Sequence, residues 1–342
     1  MSLMRQETLS IPAVVQHMLD QDSAINSLAD QLAADLPELI ISVARGSSDH
    51  AAAFFGYAMM SQLGIPWLSI PLSLVSLQQP PLRLKKCWVA ALSQSGKSPD
   101  LIASAAYLKQ RGASVAAFVN TADSPLAAAS DAEVLLPAGL EQSVAATKSY
   151  VAMLMAGVQT VAALGARQGN DSGLREALQS LPAALAKVAR EEWSLALNVL
   201  QSVDKMIVIG RGPALPIAQE AALKLKETSG IQAEAFSSAE VRHGPMEIIE
   251  AGYPVLVFAP SGPEQAGTLA FADDMRLRGA QVMVVAPRGT PGVELPSVAT
   301  AHPLLEPFTM IQGFYLMAAK LAELRGRNPD QPRFLKKVTE TR

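Results

Sequence analysis

The sequence predicts an α/β fold with two parallel sheets, each of five strands with helices on both faces. Apolar runs of strand length alternate with longer helical patterns along most of the 342 residues, which is typical of parallel sheets buried on both faces. The order of elements in the first half recurs in the second. The chain also exceeds the roughly 250–300 residues at which single cores stop growing. These observations together favour two domains of one topology.

Matching segments in the two halves indicate an internal duplication. The matched elements are the strands 39–44 and 206–209, the loops Arg45-Gly46-Ser47-Ser48 and Gly210-Arg211-Gly212, and the helices 51–63 and 217–228. Further along, Arg111-Gly112 and Arg278-Gly279 each end a helix and lead into a strand, as a glycine C-cap does. Arg45 and Arg211 are 166 positions apart in the sequence, and Arg111 and Arg278 are 167 positions apart. The two repeats therefore have nearly the same spacing.

The remaining elements follow from the same patterns. The predicted strands are 39–44, 67–70, 87–92, 114–119 and 133–136, then 206–209, 231–235, 254–259, 281–286 and 298–302. The predicted domains are a helical arm at 1–30, an α/β domain at 31–165, a helical linker at 166–195, a second α/β domain at 196–325 with its last helix at 303–324, and a tail at 326–342 that closes over the site. The apolar helix 151–166 is too short to span a bilayer, so we expect it to be buried between protein layers.

Composition excludes several classes of function. A net charge of −3 is too small to favour binding to nucleic acid or to an anionic membrane. The single cysteine, Cys87, and four scattered histidines show no metal-ligand spacing. No signal-peptide pattern is present, and we expect a cytoplasmic protein. Only 17% of residues are charged, which favours a buried oligomer interface.

A hydroxyl-rich turn follows the predicted strand 87–92. Ser93-Gln94-Ser95-Gly96 leads into Ser98-Pro99-Asp100, which has the N-cap and first-turn residues of a helix. Backbone N–H groups and the helix dipole at such a point bind anions, so the pattern predicts a cradle for the phosphate of a small metabolite. Taken alone, the same four residues also fit an ordinary strand-to-helix turn.

The helix predicted at 217–228 carries Glu220, Lys224 and Glu227 on one face. One interpretation is a solvated face with a single Glu–Lys pair. The other is a proton-transfer site, because the helix begins at a glycine loop at the predicted ligand edge and is otherwise mostly apolar. His243 precedes a Gly-Pro turn, where a histidine is either a surface group or an acid/base. Lys337, in the tail, is either a solvated charge or a catalytic group under a folded-back tail.

At these residues the chain resembles the sugar isomerase (SIS) family, including the isomerase half of glucosamine-6-phosphate synthase. It most closely resembles the stand-alone glucosamine-6-phosphate deaminases of this fold, through the segments 45–50, 98–100, 145–150, 236–240 and 336–339. The motifs that carry the resemblance are Ser93-Gln94-Ser95-Gly96, Val144-Ala145-Ala146-Thr147-Lys148, Ala222-Leu223-Lys224-Leu225-Lys226-Glu227, Ala233-Glu234-Ala235-Phe236, His243-Gly244-Pro245 and Asp330-Gln331-Pro332-Arg333 with Lys337. The resemblance implies two tandem SIS domains, each a flavodoxin-like doubly wound sheet.

The resemblance also implies roles for individual residues. The substrate and its phosphate are held by Ser47, Ser48, Ser93, Gln94, Ser95, Ser98, Val144 and Ala145. Glu227 moves a proton between C1 and C2 with support from Lys224, and Lys337 contacts the open-chain carbonyl. His243 opens the sugar ring and comes from the neighbouring subunit of a homodimer. No cofactor or metal is implied.

The expected activity is conversion of glucosamine 6-phosphate to fructose 6-phosphate and ammonia. Only residues 1–38 precede the first predicted strand and Cys87 lies within a strand, so we expect no glutaminase unit. Ala146 replaces a family serine, which puts one substrate hydrogen bond in question. The alternatives are a deglycase of a phosphorylated sugar–amine adduct, an aldose–ketose phosphosugar isomerase and a non-catalytic sugar-phosphate sensor. The identity of the amino sugar stays open.

Overall fold

The computed structural model describes residues 1–170 and 172–337 and contains two five-stranded sheets in which every strand pairing is parallel. The strands are β1 (Leu39–Val43), β2 (Trp67–Ser69), β3 (Cys87–Ser93), β4 (Ser114–Val119), β5 (Ala132–Leu135), β6 (Lys205–Gly210), β7 (Gln232–Ser237), β8 (Pro254–Phe258), β9 (Gln281–Pro287) and β10 (Leu295–Ser297). The predicted α/β fold class with two parallel sheets is confirmed.

Helices surround both sheets. They are α1 (Leu3–Leu9), α2 (Ile11–Asp20), α3 (Ser23–Ala34), α4 (Ser47–Leu63), α5 (Pro99–Gln110), α6 (Pro125–Ala128), α7 (Lys148–Arg167), α8 (Leu174–Val188), α9 (Ser194–Leu200), α10 (Ala214–Lys224), α11 (Gln265–Leu277) and α12 (Glu306–Leu324). Short π turns lie at Leu74–Gln78 and Leu225–Ser229, and 3₁₀ turns at Glu240–His243, Pro245–Ile248 and Pro303–Leu305.

The two sheets have the same topology. The first has the strand order β2-β1-β3-β4-β5 and the second the order β7-β6-β8-β9-β10. Counted from the first strand of each sheet, both orders are 2-1-3-4-5, the doubly wound arrangement. This shared order agrees with the internal duplication predicted from the spacing of the sequence repeats.

The first sheet belongs to a compact unit, called here the first-sheet unit, made of Ala13–Glu141, Lys148–Gln179, Lys336 and Lys337. On one face of the sheet, Val89 and Val115 pack in one cluster with Leu101 of α5. On the other face, the Phe55 ring of α4 packs against Trp88 and Phe118. Alternate residues along each strand therefore fill two separate apolar layers.

Helix α7 covers α3 and α4 in this unit. The expectation that this helix is too short to span a bilayer was wrong, because α7 has 20 residues rather than the 16 predicted at 151–166. It is long and apolar enough to cross a membrane, but 89% of its most apolar window is buried inside the protein. The interpretation of this segment as a helix buried between protein layers is confirmed.

The second sheet belongs to a separate compact unit, the second-sheet unit, made of Met1–Pro12, Gln142–Thr147 and Ser180–Leu335. Ile209 and Val257 pack in one cluster with Phe271 of α11. Helices α10 and α12 pack against strands of this sheet, and the Phe258 ring of β8 meets Phe314 of α12 edge-on at 6.3 Å.

The last predicted strand was wrong: the structure places β10 at Leu295–Ser297 rather than at 298–302. In the segment 298–302, polar groups make hydrogen bonds outside the sheet. The Val298 carbonyl accepts a hydrogen bond from Thr309 Oγ1, and Thr300 Oγ1 donates to the carbonyl of His302. Pro296 lies in β10, which is tolerated because β10 is an edge strand.

Candidate active site

Two helices begin at the carboxyl ends of the adjacent strands β1 and β3. In a sheet of order 2-1-3-4-5, the connections leave these two strands in opposite directions, and ligands bind at that point. Ser47 and Ser48 form the first turn of α4, and Ser98 is the N-cap of α5. The positive dipole ends of both helices therefore lie at one edge of the sheet.

The turn between β3 and α5 is compact and rich in hydroxyl groups. Ser93 Oγ accepts a hydrogen bond from Gly96 N–H at 3.1 Å, and Ser95 Oγ accepts from Lys97 N–H at 3.3 Å. Gly96 has φ +62°, and a Cβ there would lie 2.3 Å from Ser124 Oγ, so only glycine fits. Gln94 is half-buried, and its carbonyl accepts from Asn120 N–H.

A charge pair joins the two loops. Arg45 Nε, after β1, donates to Asp100 Oδ2 at 3.0 Å, and Asp100 is buried in the first turn of α5. Ser98 makes no side-chain capping hydrogen bond, which leaves its hydroxyl able to contact a ligand. The six polar residues predicted to bind the substrate or its phosphate therefore lie at two neighbouring strand ends.

Val144 and Ala145 belong to the second-sheet unit, in a loop held by both ends of the chain. Glu7 of α1 accepts hydrogen bonds from the N–H groups that immediately precede Val144. Val144 N–H donates to the carbonyl of Asp330 at 3.0 Å. The Asp330 carboxylate in turn accepts from Leu3 N–H and Met4 N–H, both at 2.8 Å. The sequence did not predict the hydrogen bonds of Glu7 and Asp330 around this loop, although Asp330 begins one of the motifs that carry the family resemblance.

Lys224 lies between two carboxylates inside the second-sheet unit. Its Nζ contacts Glu227 Oε2 in a short ion pair and lies 3.5 Å from Glu220 Oε1. The side chains of Lys224 and Glu220 are 1% and 0% exposed, so the interpretation of this face as solvated is wrong. Burial lowers the pKa of Lys224, but the two carboxylates more than offset this and hold its pKa above the ordinary value.

Glu227 differs from its two partners because its side chain is 18% exposed. The sequence predicted regular helix through Thr228, but α10 ends at Lys224 and the chain continues as a π turn over Leu225–Ser229. Such π turns occur often at functional sites. Here the turn carries Glu227, which combines a buried cation as partner with access to solvent, as a proton-transferring carboxylate requires.

His243 lies on an exposed 3₁₀ turn after β7. Among the described residues it makes no hydrogen bond or ion pair to Glu227 or Lys224. Its neighbour Arg242 pairs with Asp274 at 2.6 Å. Within the described residues, no hydrogen bond or ion pair thus connects His243 to the charge cluster formed by Glu220, Lys224 and Glu227.

Lys337 is bound within the first-sheet unit. Its Nζ donates to Glu141 Oε2 at 2.7 Å, and its side chain is 25% exposed. Glu141 is fully buried and also accepts from Ser149 N–H and Ser149 Oγ. The interpretation of Lys337 as a solvated tail charge is therefore wrong. The partner Glu141 was missed, since it lies 196 positions away. The rest of the predicted tail, 338–342, lies outside the described residues.

Comparison with known proteins agrees with this architecture. The SIS domain family model matches residues 38–163 and 199–290. A glutamine–fructose-6-phosphate aminotransferase [isomerizing] from Corynebacterium glutamicum is 30% identical across 98% of this chain and 58% of its own length. The chain thus spans little more than half of this relative.

Two solved structures extend the comparison. A protein from Silicibacter pomeroyi DSS-3, described as a "putative phosphosugar isomerase", is 39% identical with a TM-score of 0.90, covering 96% of this chain and all of that one. Glucosamine-6-phosphate deaminase from Thermotoga maritima has a TM-score of 0.73 at 21% identity, over 96% of this chain and 99% of its own. The latter similarity concerns the fold alone.

Proposed function

Because the chain belongs to the SIS domain family, we propose that it is a phosphosugar enzyme that converts glucosamine 6-phosphate to fructose 6-phosphate and ammonia. The names of similar proteins support this class: one relative is an isomerizing aminotransferase of fructose 6-phosphate, and one structural neighbour is a glucosamine-6-phosphate deaminase. Fold similarity alone does not determine chemistry, so the proposal depends on the site.

The observation that carries the proposal is the Lys224–Glu227 pair. A carboxylate with limited solvent access, backed by a buried ammonium ion, is suited to remove a proton next to a carbonyl. The ammonium ion also stabilises negative charge as it develops on the substrate. Buried ion pairs contribute little net stability, and such clusters are more common where chemistry requires them.

The proposed reaction begins at the open-chain aldehyde. Glu227 takes the proton from C2 and returns it to C1, while the amine loses one proton and the C1 oxygen gains one; the aldehyde becomes a hydroxymethyl group and C2 becomes an imine. Water then adds to the imine carbon, and ammonia leaves as the ketone forms. The hydroxyl-rich turn at Ser93–Ser98 and the start of α4 hold the phosphate through N–H and O–H donors.

In this proposal His243 opens the sugar ring and Lys337 contacts the open-chain carbonyl. Val144 and Ala145 line the substrate through the loop that Glu7 and Asp330 hold. We further propose that the enzyme is a homodimer and that His243 acts on the substrate of the neighbouring subunit. Its exposed position on the 3₁₀ turn is compatible with a role across an interface.

An ammonia-release assay over a panel of hexose and hexosamine 6-phosphates tests the function. We expect free ammonia and fructose 6-phosphate from glucosamine 6-phosphate, without added glutamine. Aldose–ketose interconversion without ammonia would instead identify an isomerase, and amine release only from substituted sugars would identify a deglycase. Tight binding of sugar phosphates without turnover would identify a sensor. Each of these three results would overturn the deaminase proposal.

Subunit complementation tests the shared site. Mixed dimers of Glu227→Gln and His243→Ala subunits should regain one active site per heterodimer, because that site takes its glutamate and its histidine from different chains. Activity should also fall on dilution below the dimer dissociation constant. Verified heterodimers that stay inactive would contradict the shared site but not the deaminase reaction.

A further inference from the structure

We propose that Tyr315 is a positioning residue for proton transfer: acting through Glu220, it holds the Lys224 ammonium ion against Glu227. The inference rests on the proposed function, because it concerns the same charge cluster. Tyr315 lies on α12, almost a hundred residues along the chain from Glu220. No sequence motif singled it out.

The contacts form a chain of four side chains. Tyr315 OH donates to Glu220 Oε1 at 3.1 Å, and Lys224 Nζ lies 3.5 Å from the same oxygen. Lys224 Nζ is closer to Glu227 Oε2, with which it forms the short ion pair. Tyr315 and Glu220 are fully buried and Lys224 nearly so. Water therefore has little access to the inner end of this chain.

The asymmetry of the Lys224 contacts has a physical reason. Two carboxylates compete for one ammonium ion, and in a low-dielectric interior each attraction is strong. The Tyr315 hydroxyl stabilises the negative charge of Glu220 at the very oxygen that faces Lys224. Glu220 then attracts Lys224 less, so the ammonium ion is left nearer to Glu227.

Removal of the hydroxyl reverses this balance. In Tyr315→Phe the buried Glu220 oxygen loses this donor, and its attraction for the Lys224 ammonium ion, 3.5 Å away, increases. Movement of the ammonium ion toward Glu220 takes it away from Glu227 and from the reacting carbon atoms. Substrate binding through the phosphate is unaffected, because none of these four side chains belongs to the phosphate cradle.

The first test separates rate from binding. Tyr315→Phe should lower kcat about 3- to 30-fold, a part of the effect of a hydrogen bond to a charged group, while KM changes less than about 2-fold. The matched control is Tyr107→Phe on α5, which removes a buried phenol hydroxyl that donates to the Pro80 carbonyl; it should leave kcat unchanged. Equal losses in both variants, or a change confined to KM, would overturn the inference.

The second test asks whether Tyr315 acts through Glu220. In a double-mutant cycle, Tyr315→Phe should have less than about 2-fold effect on kcat in a Glu220→Gln background, since that background has no carboxylate to control. A merely structural role for Tyr315 predicts the same loss in both backgrounds, and that result would overturn the inference.

The same cycle, measured by urea unfolding, does not depend on the reaction. Tyr315→Phe should lower the folding equilibrium constant about 10-fold or more in the wild-type background and less than about 3-fold in the Glu220→Gln background. If no phosphosugar is turned over, the proposed function fails while this coupling still tests the Tyr315 contact. Additive unfolding free energies would overturn the contact itself.

Discussion

Helices α4 and α10 have equivalent places in the two sheets, each after the first strand, but they carry opposite chemistry. Helix α4 is polar at its start, with Ser47 and Ser48, and its buried residues are apolar. Helix α10 is preceded by Pro213 at its N-cap, and its buried residues include Glu220 and Lys224. The two sheets share one topology. In the first, the helix begins with hydroxyl and N–H donors, whereas in the second, the helix contains buried ionisable groups.

Under the proposed function, this difference assigns a different part of the reaction to each half of the duplicated fold. An anion site needs only N–H and O–H donors at a strand end, which the shared topology supplies. Proton transfer needs a carboxylate with a controlled environment, which requires buried charges at a cost in stability. In the proposed function, the first sheet is the phosphate-binding half and the second is the proton-transferring half.

The largest expected effect comes from Glu227→Gln. The amide keeps the shape of the side chain but cannot accept the C2 proton, so kcat should fall at least about 10²- to 10⁴-fold. Ammonia release under substrate saturation measures this. Solvent deuterium at C1 of the wild-type product would support proton return through an enol intermediate. A variant with activity within a few-fold of wild type would remove Glu227 from the mechanism.

The cost of the buried charges is tested by Lys224→Met. The change leaves Glu220 and Glu227 without their cation and should destabilise the protein by about 3–5 kcal/mol. The added change Glu220→Gln should recover part of that loss. The control is Met59, which is buried in α4, since Met59→Leu should cost less than about 1.5 kcal/mol. Urea unfolding measures all three; similar costs at both helices would contradict the comparison.

The phosphate cradle is tested by Ser95→Ala. Loss of the hydroxyl should weaken binding of glucosamine 6-phosphate by about 1–3 kcal/mol. Ser261 is the matched control, because it follows β8, the strand equivalent to β3 in the second sheet. Calorimetry should show no change in affinity for Ser261→Ala. Equal effects of the two changes would mean that the phosphate is not confined to the first sheet.

A smaller effect is expected at alkaline pH. The pKa of Lys224 is raised above its ordinary value of 10.5, so its charged form stabilises the folded state. That contribution is fully present below pH 10.5 and is lost as pH rises through the higher pKa of the folded state. The stability difference between wild type and Lys224→Met should thus stay constant up to about pH 9.5 and shrink above 10.5. A difference that grows with pH would contradict this.

Much of the fold and of the candidate site could be predicted from the sequence, because the relevant patterns lie within short continuous segments. The hydroxyl-rich turn at Ser93–Ser98 and the helix cap are local features, and the spacing of Glu220, Lys224 and Glu227 is visible within eight consecutive residues. Apolar runs located nine of the ten strands, and the exception, β10, is a three-residue edge strand that contains proline.

What sequence did not reveal depends on tertiary contacts. The pairing of Lys337 with Glu141 and the contact of Tyr315 with Glu220 join residues far apart in the chain. Neither side chain lies in a local pattern that indicates its partner. The π turn at Leu225–Ser229, which carries Glu227, also has no simple sequence signal.

The central claim is that phosphate binding and proton transfer belong to different sheets. The affinity of the Glu227→Gln variant for glucosamine 6-phosphate tests this claim most directly. Calorimetry on this variant measures binding without turnover. The reference is the dissociation constant of a non-reactive hexitol 6-phosphate bound to the wild-type enzyme. Because the donors of the phosphate cradle are unchanged, the variant should bind glucosamine 6-phosphate with a dissociation constant within about 3-fold of that reference. It should release no ammonia. Loss of binding together with activity would contradict the separation of the two tasks.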